Sequence, residues 1–153
     1  MLLYRLAKTK RAPDLSGEGA KRAGGRWNYA GTPVIYTAEN GALAILEVLQ
    51  YADVSDMHNI SMLTLDVPDD ALIQRVLITE LPSDWYQYPH RTATKDIGQQ
   101  WIAKGNALLL QVPSAVYSDE ANWLINPQHP AAIYIRIVSV KPFAFSERLF
   151  RRT

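Results

Sequence analysis

The stretch Pro33-Val34-Ile35-Tyr36-Thr37-Ala38-Glu39-Asn40-Gly41-Ala42-Leu43-Ala44-Ile45-Leu46-Glu47-Val48-Leu49 decides the fold class. Val34-Ile35-Tyr36 is β-branched and aromatic, as a short strand requires. The periodicity then changes. Thr37 is placed to cap a helix predicted over 38–51, with Glu39 in the first turn, where the macrodipole favours negative charge. Ala42, Ile45, Leu46 and Leu49 make one apolar face. Leu43, Ala44 and Val48 widen it, so the helix reads as largely buried. A strand running straight into such a helix implies a mixed α/β domain.

Upstream, Leu2 to Ala7 reads as a first strand. Residues 8–32 form a long irregular segment with Pro13 and glycines at 17, 19, 24, 25 and 31. Structureless connections of this length are usually functional or disordered. Trp27 and Tyr29 argue against disorder, because aromatic rings need something to pack on. Downstream, Ile60 to Val67 alternates as a strand and ends at Pro68-Asp69-Asp70. Ala71 to Ile78 reads as another short strand, and Leu81 to Trp85 opens a second irregular connection. A helix is predicted over 92–103, stopped by Gly105. Ala107 to Val112 reads as a buried strand, Asn122 to Pro130 as a loop, and Ile133 to Val140 as a late strand. Phe143-Ala144-Phe145 continues or pairs with that strand. The expectation is six or seven strands and two main helices in one domain spanning 1–153.

Bulk properties narrow the function. Of the 153 residues, 48% are hydrophobic and 20% charged, an ordinary globular balance. A formal net charge of +1 gives no field that favours nucleic acid or membrane. Cysteine is absent, which excludes disulfides and thiolate-bound zinc. The apolar run at Met1 to Leu6 is too short for a signal peptide, and no stretch approaches a membrane span of roughly 20 apolar residues. A soluble, cytoplasmic protein is expected.

Several familiar signals fail. Gly17-Glu18-Gly19 lacks the third glycine and the βαβ setting of a dinucleotide fingerprint, and no Gly-Lys-Ser/Thr follows for a phosphate loop. His58, His90 and His129 stand too far apart for a metal pair, so no metal is expected. Ser114, in Val-Pro-Ser-Ala-Val, is not a nucleophile elbow.

Glu47 is the residue that demands a reason. It lies at the flank of the most apolar helix, and burying an ionised carboxylate without a partner is costly. Hydration at the helix edge or a structural arginine would also satisfy it. Arg26 follows Gly24-Gly25, where a close-approaching backbone can present a forked cation to a phosphate. A surface arginine after a turn has the same local sequence. Tyr36 alone suits a core, and Ser114 alone suits a cap.

Taken in order, Gly-Gly-Arg26-Trp-Asn, Pro-Val-Ile-Tyr36, Ile-Leu-Glu47-Val-Leu and Gln-Val-Pro-Ser114-Ala-Val resemble the RES domain family. That family is named for its Arg, Glu and Ser. The resemblance spans nearly the whole chain. It includes Tyr4-Arg5-Leu6, Asp14 to Ala20, Leu81-Pro82-Ser83-Asp84-Trp85 and Asn126-Pro127-Gln128-His129-Pro130. It implies a fold like that of diphtheria-toxin-type ADP-ribosyltransferases. The function it implies is that of a toxin paired with an Xre-like helix-turn-helix antitoxin that occludes the active site, with any DNA contact made through the antitoxin. The implied activity is cleavage of NAD⁺, as substrate rather than cofactor, with water, phosphate or a protein side chain as acceptor. Arg26, Tyr36 and Glu47 match the family's active-site positions, and Ser114 matches its serine as a substrate contact. A protein ADP-ribosyltransferase and a non-enzymatic RNA- or protein-binding module are the alternatives. Self-association within the toxin–antitoxin complex is left open.

Overall fold

The computed structural model describes residues 1–51, 53 and 57–150. Among these residues, seven strands make one sheet: β1 (Leu2–Lys8), β2 (Ile35–Ala38), β3 (Ile60–Asp66), β4 (Ile73–Arg75), β5 (Leu109–Pro113), β6 (Ala121–Ile125) and β7 (Arg136–Phe143). Their order is β4-β5-β6-β2-β1-β3-β7. All neighbours are antiparallel except β4 and β5. The helices are α1 (Glu18–Ala23), α2 (Gly41–Leu49) and α3 (Thr92–Lys104). No helix among the described residues is long and apolar enough to cross a membrane.

Alternation along the strands gives the sheet two apolar faces. Leu3, Ile35, Leu63, Leu65, Leu109 and Ile125 pack together on one. On the other, Leu110, Val112 and Leu124 meet Trp27, Trp85 and Trp101, while Ala38 meets Leu43 and Ala44 of α2. The indole of Trp101 donates to the Ala107 carbonyl at 3.0 Å, satisfying its one polar atom inside the core. Gly98 lets α3 lie directly on the Trp27 backbone, since a Cβ there would sit 1.7 Å from the Trp27 carbonyl oxygen.

The centre of the sheet is where the site forms. β1 and β2 share a single partner pair, Tyr4 with Ala38. The ladder stops before Leu6 and Tyr36, and both residues line a cavity instead.

Several sequence expectations are corrected. The irregular segment 8–32 contains α1, with Glu18 in its first turn, Lys21 and Arg22 in its last, and left-handed Gly17 before it. These charges suit the macrodipole and pair with each other, but a six-residue helix between glycines has no apolar periodicity to announce it. Thr37 does not cap α2: it lies in β2 and donates to the Trp123 carbonyl at 2.5 Å. Asn40 caps instead, accepting from the Leu43 N–H at 2.8 Å, so the helix starts later than expected. Its buried residues are Leu43 and Ala44, while Ala42 is exposed and Leu46 is 41% exposed. The expected loop 122–130 begins as β6, whose Trp123, Leu124 and Ile125 are buried between β5 and β2. The strand expected over 71–78 shrinks to β4. The late strand is shifted: Pro130–Tyr134 is a 3-10 turn and β7 follows, accepting Pro142 because it is an edge strand.

Candidate active site

The cavity encloses about 530 Å³, within the usual range for small-molecule sites. Arg26, Tyr36 and Glu47 all line it. Ser114 does not. It is fully buried behind the wall, in contact with Glu47.

Glu47 projects from α2 toward the sheet. Its Oε1 accepts from Ser114 Oγ at 2.7 Å and from Asn122 Nδ2 at 2.6 Å. Its Oε2 accepts from the exposed Gln50 amide at 2.8 Å. No cation pairs with it within 4.0 Å among the described residues, so the structural-arginine alternative is not what is found. A carboxylate held by neutral donors keeps its charge available to something else.

Arg26 is buried. Its Nη1 donates to the carbonyls of Trp85 and Gln87, at 2.8 and 3.1 Å, and its guanidinium lies over the Trp85 ring at 5.9 Å. No carboxylate pairs with it within 4.0 Å among the described residues. Fixing one nitrogen on two carbonyls orients the planar fork, and a buried cation with no counter-ion makes this wall receptive to an anion. A second arginine, Arg5 on β1, also lines the cavity and donates from Nη1 to the Asp14 carbonyl at 3.0 Å.

Tyr36 ends its bonds inward. Its hydroxyl donates to Asn28 Oδ1 at 2.7 Å and accepts from the Trp27 N–H at 3.1 Å. Burial pushes its ionisation well above the ordinary phenol range, so the hydroxyl stays neutral. The approach requires Gly25, because a Cβ there would come within 2.7 Å of the hydroxyl oxygen. Asn28 is fully buried and donates to the carbonyls of Ala20, Tyr29 and Thr32, which folds the glycine-rich segment into a wall. The paired glycines therefore serve tight packing of this wall, and Arg26 rides on it.

His90 also lines the cavity. Burial, then the nearby charges of Arg26 and Lys95, lower its pKa, so it is neutral at pH 7. Sequence reasoning missed Asn122, His90, Arg5 and Asn28. Asn122 fell in a stretch read as a loop, and nothing local separates Arg5 or His90 from surface residues.

The sheet of this α/β domain parts over a cavity walled by a clamped carboxylate and by a buried arginine that has no carboxylate partner among the described residues. The RES domain profile matches residues 2–146. The chain belongs to the RES domain family. It is 36% identical to the Prs ADP-ribosylating toxin of Sphingobium sp. (strain YBL2), over 95% of this chain and 92% of that protein. It is also 36% identical to Toxin Res of Photorhabdus laumondii subsp. laumondii, over 99% and 98%. The fold is shared with the crystal structure of the M. tuberculosis MbcT–MbcA toxin–antitoxin complex. There the TM-score is 0.77 at 21% identity, covering 91% of this chain and 81% of that one.

Proposed function

We propose that this chain is the toxin of a toxin–antitoxin pair and that it cleaves NAD⁺ at the nicotinamide–ribose bond. The carrying observation is one cavity walled by both a carboxylate, Glu47, and an arginine, Arg26, neither of which has an ion-pair partner among the described residues. Family membership and the relatives named as toxins support the same reading.

The chemistry suits those groups. Breaking the bond between ribose C1′ and the nicotinamide nitrogen sends the electron pair to nicotinamide, which leaves neutral. The ribose becomes oxocarbenium-like, and its positive charge grows toward the transition state. A fixed carboxylate stabilises that state more than the ground state. Glu47 has this role. Arg26 receives the diphosphate through its Nε and Nη2. The Tyr36 ring forms the wall against nicotinamide or the adjoining ribose. Water attacking C1′ and losing a proton gives ADP-ribose, and phosphate attacking gives its sugar phosphate.

Chromatography of NAD⁺ incubated with the free chain, with and without phosphate, tests the reading. Release of nicotinamide supports it, and the second product identifies the acceptor. Intact NAD⁺ under both conditions contradicts it. A protein acceptor is the second reading, favoured by the name of the Sphingobium relative. Labelled NAD⁺ in cell lysate would then yield a discrete labelled protein, whereas label found only in free ADP-ribose or its phosphate counts against transfer.

The partner in this reading is an Xre-like helix-turn-helix antitoxin that covers the cavity mouth in the cytoplasm and carries any DNA binding. A purified complex should turn over NAD⁺ far more slowly than the free chain, and equal rates contradict occlusion.

A further inference from the structure

Three polar side chains from separate elements meet at Glu47, and the hydrogen-bond capacity of each restricts what it can do. Ser114, just beyond β5, accepts the N–H groups of Val116 and Tyr117 on its Oγ, each at 3.1 Å. Its single proton is therefore left to point at Glu47 Oε1. Asn122 lies on β6 opposite Ala38 and Val112, on the sheet face where Ala38 packs against Leu43 and Ala44 of α2. A carboxylate only accepts, so this amide can meet it only through Nδ2. The contact thus fixes the amide's orientation, and Asn122 Oδ1 is left buried with no hydrogen-bond partner among the described residues. An asparagine kept only for packing has no reason to leave its carbonyl unpaired in a protein interior. The orphaned acceptor is the mark of an amide held for its donor.

Both fixed donors converge on Oε1. Among the described residues Oε2 keeps only the exposed Gln50, a contact that a ligand hydroxyl can displace. We propose that Asn122 is a positioning residue which, with Ser114, locks Glu47 Oε1 so that Oε2 is the oxygen presented to the reacting sugar. This rests on the NAD⁺-cleavage reading. It separates the two carboxylate oxygens by task and moves Ser114 from substrate contact to support.

The test is steady-state turnover of NAD⁺ by the free full chain and by Asn122→Leu and Asn122→Asp, with melting temperature recorded for each. Leucine removes the donor and the orphaned acceptor at similar volume. The expected result is a kcat lower by roughly 10- to 100-fold, a KM within about 3-fold, and a melting temperature equal to or above that of the wild type. A folded Asn122→Leu protein with a kcat within about 2-fold of wild type overturns the proposal.

Aspartate keeps the shape and sets two carboxylates against each other. Its activity should be lower than that of Asn122→Leu at neutral pH and recover in part at acidic pH, where a proton shared between two carboxylates restores a donor. Arg5, Arg26, Tyr36 and His90, whose pKa is lowered by burial and by Arg26 and Lys95, line the same cavity, and Glu120 accepts from Asn40 at the start of α2, so each profile is taken relative to wild type at the same pH. If Asn122→Leu fails to fold, this profile decides, and an Asp variant without acid recovery overturns the clamp. A wild type inert toward NAD⁺ overturns the proposed function instead. The Asn122–Glu47 contact is then judged on melting alone: Asn122→Asp should lose more stability at neutral than at acidic pH, and equal losses overturn it.

Discussion

Arg26, Tyr36 and Glu47 are spaced along the chain yet line one cavity, and each is held by bonds that leave a different part of it free. Arg26 spends Nη1 on two carbonyls, Tyr36 spends its hydroxyl and keeps its ring, and Glu47 spends mainly Oε1. Ser114→Ala removes a donor from Glu47 and strands two N–H groups. We expect both a lower kcat and a stability loss of about 1–3 kcal/mol in denaturant melts, and a variant that loses neither contradicts the contact geometry. His90 carries a pH prediction. Its folded pKa is lowered by burial and by Arg26 and Lys95, so the unfolded chain binds its proton more readily. The stability this contributes is present above the unfolded value of about 6.5 and is lost as pH falls through the folded value. Melting of His90→Phe should therefore depend less on pH below that point than wild type, and unchanged acid sensitivity would rule out this role. At this scale the sequence revealed residue types but not orientations. Glu47 was conspicuous because a carboxylate in an apolar helix needs a partner. Asn122, its actual partner, was invisible because the pairing of β6 with β2 is a property of the sheet.

Elements position these groups through a few tight contacts. β2 runs into α2 through Asn40, which caps the helix and also donates to Glu120 in the β5–β6 connection at 3.0 Å. α3 reaches the site indirectly, pressing Gly98 onto the backbone of Trp27, the neighbour of Arg26. Gly98→Ala forces α3 or that wall to shift. We expect a loss of at least about 3 kcal/mol in stability, larger than helix propensity alone could offset, and unchanged melting would show the contact to be looser than described. The long strands β1 and β3 and helix α3 were legible because their patterns are set locally. Helix α1, strand β6 and the true cap of α2 were not. α1 is held by charges and a buried asparagine rather than by an apolar stripe. β6 hides its buried Trp123-Leu124-Ile125 among asparagines and prolines. Thr37 looked like a cap because the sequence does not show that β2 continues through it to Ala38.

For the whole molecule, fold class and family were readable because many short segments recur in order along nearly the entire chain, and the match over residues 2–146 agrees with that reading. The cavity itself was not readable. It exists because β1 and β2 stop pairing after one residue pair, a failure of hydrogen bonding that no local pattern records. Expression of the free chain should arrest growth and lower cellular NAD⁺, and co-expression of its antitoxin should prevent both. Growth arrest at undiminished NAD⁺ would instead point to a modified target. The most direct test of the central claim is the rate of nicotinamide release by purified wild type and by Glu47→Gln at matched melting temperature. The variant keeps the shape of Glu47 but loses the charge proposed to stabilise the cationic sugar. The expected rate is lower by at least about 100-fold. A folded Glu47→Gln protein that releases nicotinamide at the wild-type rate would contradict it.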